Sequence, residues 1–373
     1  MTALSNTGFA HAETIGSLLH SGELIGARRD YEEKKIAREA LCAVEDREVR
    51  NAVQLQERLG FKIVTDGELR RNTYIDFVLS GITGVSIEWK NLALAGYRDS
   101  SGAPAGTPRP VPTVFDRIKH KPNSSCAREF KFLKHVTSVT PKATIVGPAI
   151  VHFFGGREAI SRDVYPTLDE FWSDLIAAFQ AELRSLHEAG CTYVQFDDTS
   201  LIKLVDPAIR QWMVTRGDAP DYLLQTYVDV LQAIIADAPK GMTIGLHLCR
   251  GNNRGTWQAE GGYDGVAEQI FRKMTVDIFL LEFDSPRAGN FEPLRALPDD
   301  RKVILGLLST KRRDTESEDE IIERIREAER FLPIERLGVS PQCGFWGGIN
   351  LCTPEEAEAK LRRVIEVADR IWG

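Results

Sequence analysis

The chain has no apolar run approaching the roughly 18 residues that span a bilayer. Its start, residues 1–19, also lacks a basic stretch followed by an apolar one. Neither a membrane partner nor a secretory leader is expected, and the chain reads as cytoplasmic. Cysteine is scarce: six in 373 residues are too few for a secreted disulfide scaffold, which turns attention to thiols as metal ligands or nucleophiles. Positive charge is not in excess either. Asp and Glu number 54 against 47 Lys and Arg, a formal charge of -7, the opposite of what a nucleic-acid backbone attracts, so no nucleic acid is expected as partner. No internal repeat, sustained heptad or low-complexity tail is present, which excludes solenoids and coiled coils. What remains is an ordinary globular composition, 43% hydrophobic and 27% charged, able to bury a sizeable core.

Short, nearly continuous apolar runs stand out at 61–65, 143–147, 192–196, 242–246, 277–283, 302–308 and 336–340. Such runs read as strands buried on both faces, hence as a parallel sheet. Amphipathic helical stretches lie between or after them at 168–189, 221–236, 265–274, 317–331 and 353–371. Thr353, Pro354 and Glu356 supply an N-cap, a first-turn proline and a capping-box glutamate. Thr167, Asp221 and Ser317 are candidate caps for their own helices. Alternation from residue 143 onward is the pattern of repeated βαβ units. The simplest closure is one α/β domain over 1–373, a (β/α)8 TIM barrel, with its eighth strand sought at 13–15. Residues 91–123, rich in Gly, Pro and Ser, interrupt it as an inserted loop that packs on a neighbour, or as a lid. Helices at 31–59 and 353–371 could pack on the barrel or line the interface of a homo-oligomer.

Chemistry gathers at the downstream strand ends. Glu68 follows the run at 61–65, Asp197 and Asp198 that at 192–196, His247 and Cys249 that at 242–246; Glu282 lies within 277–283 and Cys343 just after 336–340. In a parallel barrel these ends share the face where catalytic residues sit. His247, Cys249, Glu282 and Cys343 then offer one imidazole, two thiolates and one carboxylate, a set that favours Zn2+ over Mg2+ or Ca2+. The His-x-Cys spacing turns both side chains to the same side of an extended segment. Cys42, Cys126, Cys191 and Cys352 read as small buried hydrophobes. Zinc bound by two thiolates suits activation of a substrate thiol more than activation of water.

From residue 14 to the C-terminus the chain resembles the catalytic C-terminal barrel of the cobalamin-independent methionine synthases. The matching segments are Thr14-Ile15-Gly16-Ser17, Asp66-Gly67-Glu68 with Arg71-Asn72, Val146-Gly147-Pro148, Gln195-Phe196-Asp197, His247-Leu248-Cys249, Leu281-Glu282 and Pro341-Gln342-Cys343-Gly344. The resemblance implies zinc held by His247, Cys249, Glu282 and Cys343, with Glu282 the ligand that an incoming thiol displaces. It implies a small-molecule thiol, homocysteine or an analogue, whose carboxylate meets Ile15, Gly16 and Ser17 and whose ammonium meets Glu68 and Asp197.

The second partner is a methyl or alkyl donor. Long members of the family have an N-terminal half that helps hold polyglutamylated methylfolate, for which 373 residues leave no room; methylfolate or a simpler donor is expected. Phe154 stands where the family has a tryptophan near the pterin. The stretch Gly306 to Lys311 lacks the family's proton-donating histidine, so Lys311 and His152 become candidate acids, with Asp197 the third catalytic candidate as the acceptor's orienting group. Asp198 and Arg250 are further pocket candidates. The expected activity is methyl transfer to homocysteine. The alternatives are addition of another thiol, such as coenzyme M, to an epoxide or small electrophile, a zinc-stabilised binding protein without turnover, and a zinc hydrolase.

Overall fold

The computed structural model describes residues 9–92, 98 and 108–373. Its strands are β1 (Ile63–Val64), β2 (Val85–Lys90), β3 (Arg109–Val114), β4 (Thr140–Pro141), β5 (Ala143–Val146), β6 (Tyr193–Asp198), β7 (Thr243–Leu248), β8 (Ile278–Glu282), β9 (Lys302–Leu308) and β10 (Leu337–Pro341). β5 to β10 pair in sequence order as one parallel sheet. β4 runs on toward β5 and pairs in parallel with β1, and Lys142 between them donates its N–H to the Val64 carbonyl. On the other edge, the N-terminal segment lies beside β10. Val339 N–H donates to His11 O at 2.7 Å and Glu13 N–H to Val339 O at 3.2 Å. Leu18 N–H then reaches Gly67 O, just past β1. Eight staves therefore close a (β/α)8 barrel, the eighth at 11–13, two residues upstream of the stretch expected for it.

The continuous apolar runs have the expected cause. Every residue of β5, β6, β8 and β10 is buried, because one face meets the lumen and the other the helices. Ile63, Tyr193, Ile278, Leu280 and Ile304 form a cluster of their own. Beside it the fully buried pair Lys142 and Glu13 meet at 2.7 Å, with the Tyr193 hydroxyl donating to the same carboxylate and Thr14 O accepting from Lys142. Each buried charge is thus both paired and hydrogen-bonded.

Capping chemistry holds where its geometry is complete. Ser317 and Thr353 both form reciprocal capping boxes, with Glu320 and Glu356. Thr167 occupies its N-cap position without a side-chain bond. Asp221 is not a cap: the helix Pro220–Ala236 begins earlier, on Ala219 with Pro220 in its first turn, where the fixed proline φ already starts the helix. The stretch at 31–59 divides into helices Gly22–Glu32 and Arg38–Leu59, and within 265–274 a π-helical turn spans Glu268–Arg272.

The Pro-rich part of the 91–123 segment is not all loop. β3 pairs antiparallel with β2, Trp89 opposite Pro110 and Ile87 opposite Pro112. A two-stranded ribbon has an open edge on each strand, where missing proline N–H groups are tolerated. Residues 93–97 and 99–107 of that segment lie outside the described residues. Arg98 is described, and its backbone exchanges hydrogen bonds with Trp257 (2.6 and 3.1 Å) in the loop after β7. No helix among the described residues is long and apolar enough to cross a membrane.

Candidate metal and substrate site

The parallel register of β7 and β8 sets His247 opposite Leu280. His247 Nδ1–H donates to the Leu280 carbonyl at 3.0 Å, which leaves the Nε2 lone pair as the ligating atom. That nitrogen is buried with no hydrogen-bond partner among the described residues. Cys249 follows at the strand's end, and Cys343, in the turn after β10, brings its sulfur to 3.3 Å from the Cys249 sulfur. The ligating atoms of His247, Cys249 and Cys343 all lie within 4.8 Å of one another. One imidazole nitrogen and two sulfurs, with the imidazole tautomer fixed by a backbone carbonyl, fit Zn2+.

Charge supports the same fit. The Cys343 hydrogen bond holds the Cys249 thiol well below the ordinary thiol range, and His247 adds to this against burial. Cys343 is correspondingly pushed up, by its bond to Cys249 and by burial. Burial alone would depress His247, but the Cys249 thiolate raises it to about 9. The three side chains share protons that a divalent cation, held by them, would displace.

Glu282, the expected fourth ligand, lies outside the set of ligating atoms that fall within 4.8 Å of one another and is engaged by cations instead. Its fully buried carboxylate accepts from Lys311 Nζ at 2.8 Å, Arg287 at 3.1 Å and the Arg250 N–H at 2.8 Å. Burial works to raise its pKa, yet Lys311, Arg250 and Arg287 together hold it down to about 2. Lys311 is committed to that ion pair; burial opposes its charge, but Glu282 raises its pKa and it keeps its proton. It is not part of the cleft wall. His152 is also displaced from its expected role as an acid. It is buried behind the sheet against Trp172, its Nδ1 bonded to the Tyr227 hydroxyl at 2.8 Å, and burial lowers its pKa to about 3. Arg250 is fully buried on Tyr263 and Gly261 O, and Asp198 accepts the Ser200 and Leu201 N–H groups. Both hold loops in place.

The cluster opens into a cleft of about 1100 Å³, mouth included, whose wall carries Gly16, Ser17, Glu68 and Asp197. Ile15 is buried in the lumen cluster instead. Gly16 has φ +65, and a Cβ there would fall 2.8 Å from Gly344 N; only glycine lets these two loops meet. Ser17 Oγ accepts the Trp346 N–H and donates to Trp346 O. Glu68 has φ +56, directly after Gly67 at +64. Asp66 and Thr65 side chains pin that left-handed pair by accepting the Glu68 and Gly67 N–H groups. A non-glycine residue held there stores strain at the site.

Burial, and then the Asp197 carboxylate, raise Glu68 to about 8; burial also raises Asp197, against His247 and a 2.6 Å bond from Gln195. Two carboxyls facing one cleft suit a cationic ligand group.

Phe154 lies under the β2–β3 hairpin rather than in the cleft wall, with Arg109 5.5 Å from its ring centre. On the same ring at 5.1 Å sits Lys203, which is fully buried, has no hydrogen-bond partner among the described residues and is lowered to about 7 by burial and then Arg109. The available signal was the single charge within Leu201-Ile202-Lys203-Leu204-Val205.

Glu68 generates a pH prediction. The native carboxyl keeps its proton between pH 4.5 and 8 while the unfolded one loses it, so its contribution to stability falls as pH rises through that window. Thermal unfolding of Glu68→Gln against the parent should show the variant gaining relative stability from pH 5 to pH 8. A constant difference would contradict the raised pKa.

The comparisons with known proteins agree with the barrel. A family model described as "Cobalamin-independent synthase, Catalytic domain" matches residues 10–370. The uncharacterized protein YxjH of Bacillus subtilis is 34% identical over 97% of this chain and 94% of its own. A solved Listeria monocytogenes protein, described as a vitamin-B12 independent methionine synthase, superposes with TM-score 0.77 at 29% identity, covering 99% of this chain and 100% of that one. A 5-methyltetrahydropteroyltriglutamate–homocysteine methyltransferase of Bacillus licheniformis is 21% identical over 96% of this chain, which spans 42% of that enzyme. With a parallel barrel, a family match over nearly its whole length and relatives on both counts, the chain belongs to the cobalamin-independent methionine synthase catalytic-domain family.

Proposed function

We propose that the chain is a zinc-dependent thiol S-methyltransferase that methylates homocysteine, taking the methyl group from methylfolate or a simpler donor. The observation that carries this reading is the His247, Cys249, Cys343 cluster with its ligating atoms within 4.8 Å, opening into the cleft that also holds Glu68 and Asp197. These three residues would hold the zinc ion, which when bound lowers the pKa of a substrate thiol and so supplies a nucleophile at neutral pH. Glu68 and Asp197 bind the acceptor's ammonium, and that charge draws a proton off the raised Glu68 carboxyl. Lys311, Arg287 and the Arg250 N–H fix Glu282 beside the sulfurs and limit how far it can swing toward them. The relative named as a homocysteine methyltransferase supports the same acceptor. Coenzyme M carries a sulfonate and no ammonium, so the paired carboxyls favour the amino-acid thiol over the epoxide reading.

The antiparallel pair β2 and β3 serves, in this reading, as one wall over the cleft. Trp89, Arg109 and Pro110 line the cleft from these strands, and Arg98 is itself bonded to the loop after β7 through Trp257 and to the buried Asp206 through a 2.8 Å ion pair. Arg98→Ala should raise KM for the thiol about tenfold or more, the scale of losing a buried charged partner, with zinc content unchanged. An unaltered KM would remove this wall from the account.

Metal content and turnover test the central reading together. Cys249→Ser and Cys343→Ser should each lose zinc, by elemental analysis of the purified protein, and lose methyl transfer to homocysteine by at least about a hundredfold, as ligand loss removes the thiol's activation. Retention of both properties in either variant would overturn it.

A further inference from the structure

His20 lies three residues beyond Ser17 on the cleft wall and is 1% exposed. Its ring stacks on Trp346, centroids 4.2 Å apart and planes 13° from parallel. Asn350 ties its backbone on both sides, accepting the His20 N–H and donating to His20 O. The orientation of the ring is therefore fixed by packing and by the chain.

The protonation state follows from one hydrogen bond. Arg28 NH1 lies 3.0 Å from His20 Nδ1, and its NH2 donates to Leu69 O at 2.7 Å. A guanidinium can only donate, so Nδ1 is the acceptor and the ring proton resides on Nε2. Burial and then Arg28 push this imidazole down to about 3, so the ring is a neutral donor throughout the working pH range. The Nε2 atom is buried and has no partner among the described residues. A buried N–H left unbonded is destabilising, and such groups in native proteins call for a specific explanation.

We propose that His20 Nε2–H is a hydrogen-bond donor to the carboxylate of the thiol acceptor, which makes His20 a determinant of selectivity for amino-acid thiols over simple aminothiols. The proposal rests on the homocysteine reading above. The polarity of the cleft points to a carboxylate at this wall: Glu68 and Asp197 supply its negative charge, whereas His20 has the Arg28 guanidinium directly behind it. A donor polarised by a cation prefers an anionic acceptor. Ser17, the neighbouring hydroxyl, has both its donor and an acceptor position engaged by the Trp346 backbone.

Calorimetric titration of the zinc-loaded protein with homocysteine and with 3-aminopropane-1-thiol tests this, because the second ligand has the same thiol and ammonium and no carboxylate. The parent protein should prefer homocysteine. His20→Phe keeps the stacking ring and removes the donor; it should weaken homocysteine about 10- to 100-fold and leave the aminothiol unchanged. His20→Gln, which restores an N–H at similar reach, should recover most of the loss. Equal weakening of both ligands, or an unchanged preference, overturns the proposal. A parent protein that binds both thiols equally overturns it while the methyltransferase reading stands; one that binds neither overturns both. If His20→Phe does not fold, Arg28→Met leaves the ring in place and releases its tautomer. It should reduce the preference several-fold, and an unchanged preference counts against the proposal.

Discussion

The hydrogen bond from His247 Nδ1 to the Leu280 carbonyl ties the barrel to its chemistry. It exists because β7 and β8 are parallel and in a register that sets those two residues side by side. A shift of one residue would turn His247 to the other face of the sheet and separate it from both sulfurs. The same parallel order carries Cys343, at the end of β10, back to Cys249 across nearly a hundred residues of sequence. The His247, Cys249, Cys343 cluster is therefore a consequence of strand direction and register more than of any local motif.

Around that cluster, buried charges are arranged in separate compartments. Glu13 and Lys142 are paired inside the barrel, well hydrogen-bonded and away from the cleft. Glu282 is surrounded by cations and stays ionised, while Glu68, equally buried but beside another carboxyl, is held toward its neutral form. Two buried glutamates on the same face of the barrel are thus held in opposite protonation states, Glu282 ionised by its cations and Glu68 drawn toward the neutral form by burial and Asp197. The first is set to anchor its loops, and the second is set to respond to a cation entering the cleft. Backbone strain at Glu68, a non-glycine residue with φ +56, accompanies the second and not the first.

Much of this was legible in the sequence because each strand is buried on both faces and so is written as a continuous apolar run. The strand ends then located His247, Cys249, Cys343, Glu68 and Asp197 on one face. What could not be read was which partner each polar side chain would meet. Glu282 matches the family's ligand, and its companions are Lys311 from the loop after β9 and Arg287 from the turn that follows β8 itself. His152 follows a strand end by only a few residues, yet the short helix Ile150–Phe153 turns it toward Tyr227 and the packed layer. The strand β3 was hidden by its own prolines, which composition assigns to loops and an open ribbon edge permits. Nothing in the sequence singles out His20, whose place is set by Arg28, Trp346 and Asn350 from distant parts of the chain.

The account's central claim is that the cluster activates a thiol by direct ligation. X-ray absorption at the zinc edge, on the purified protein alone and after addition of homocysteine, tests it most directly. The account predicts two sulfur neighbours per zinc in the protein alone and three with homocysteine. Zinc present with an unchanged sulfur count would contradict homocysteine as the acceptor, and a protein that retains no zinc at all would contradict the metal site itself.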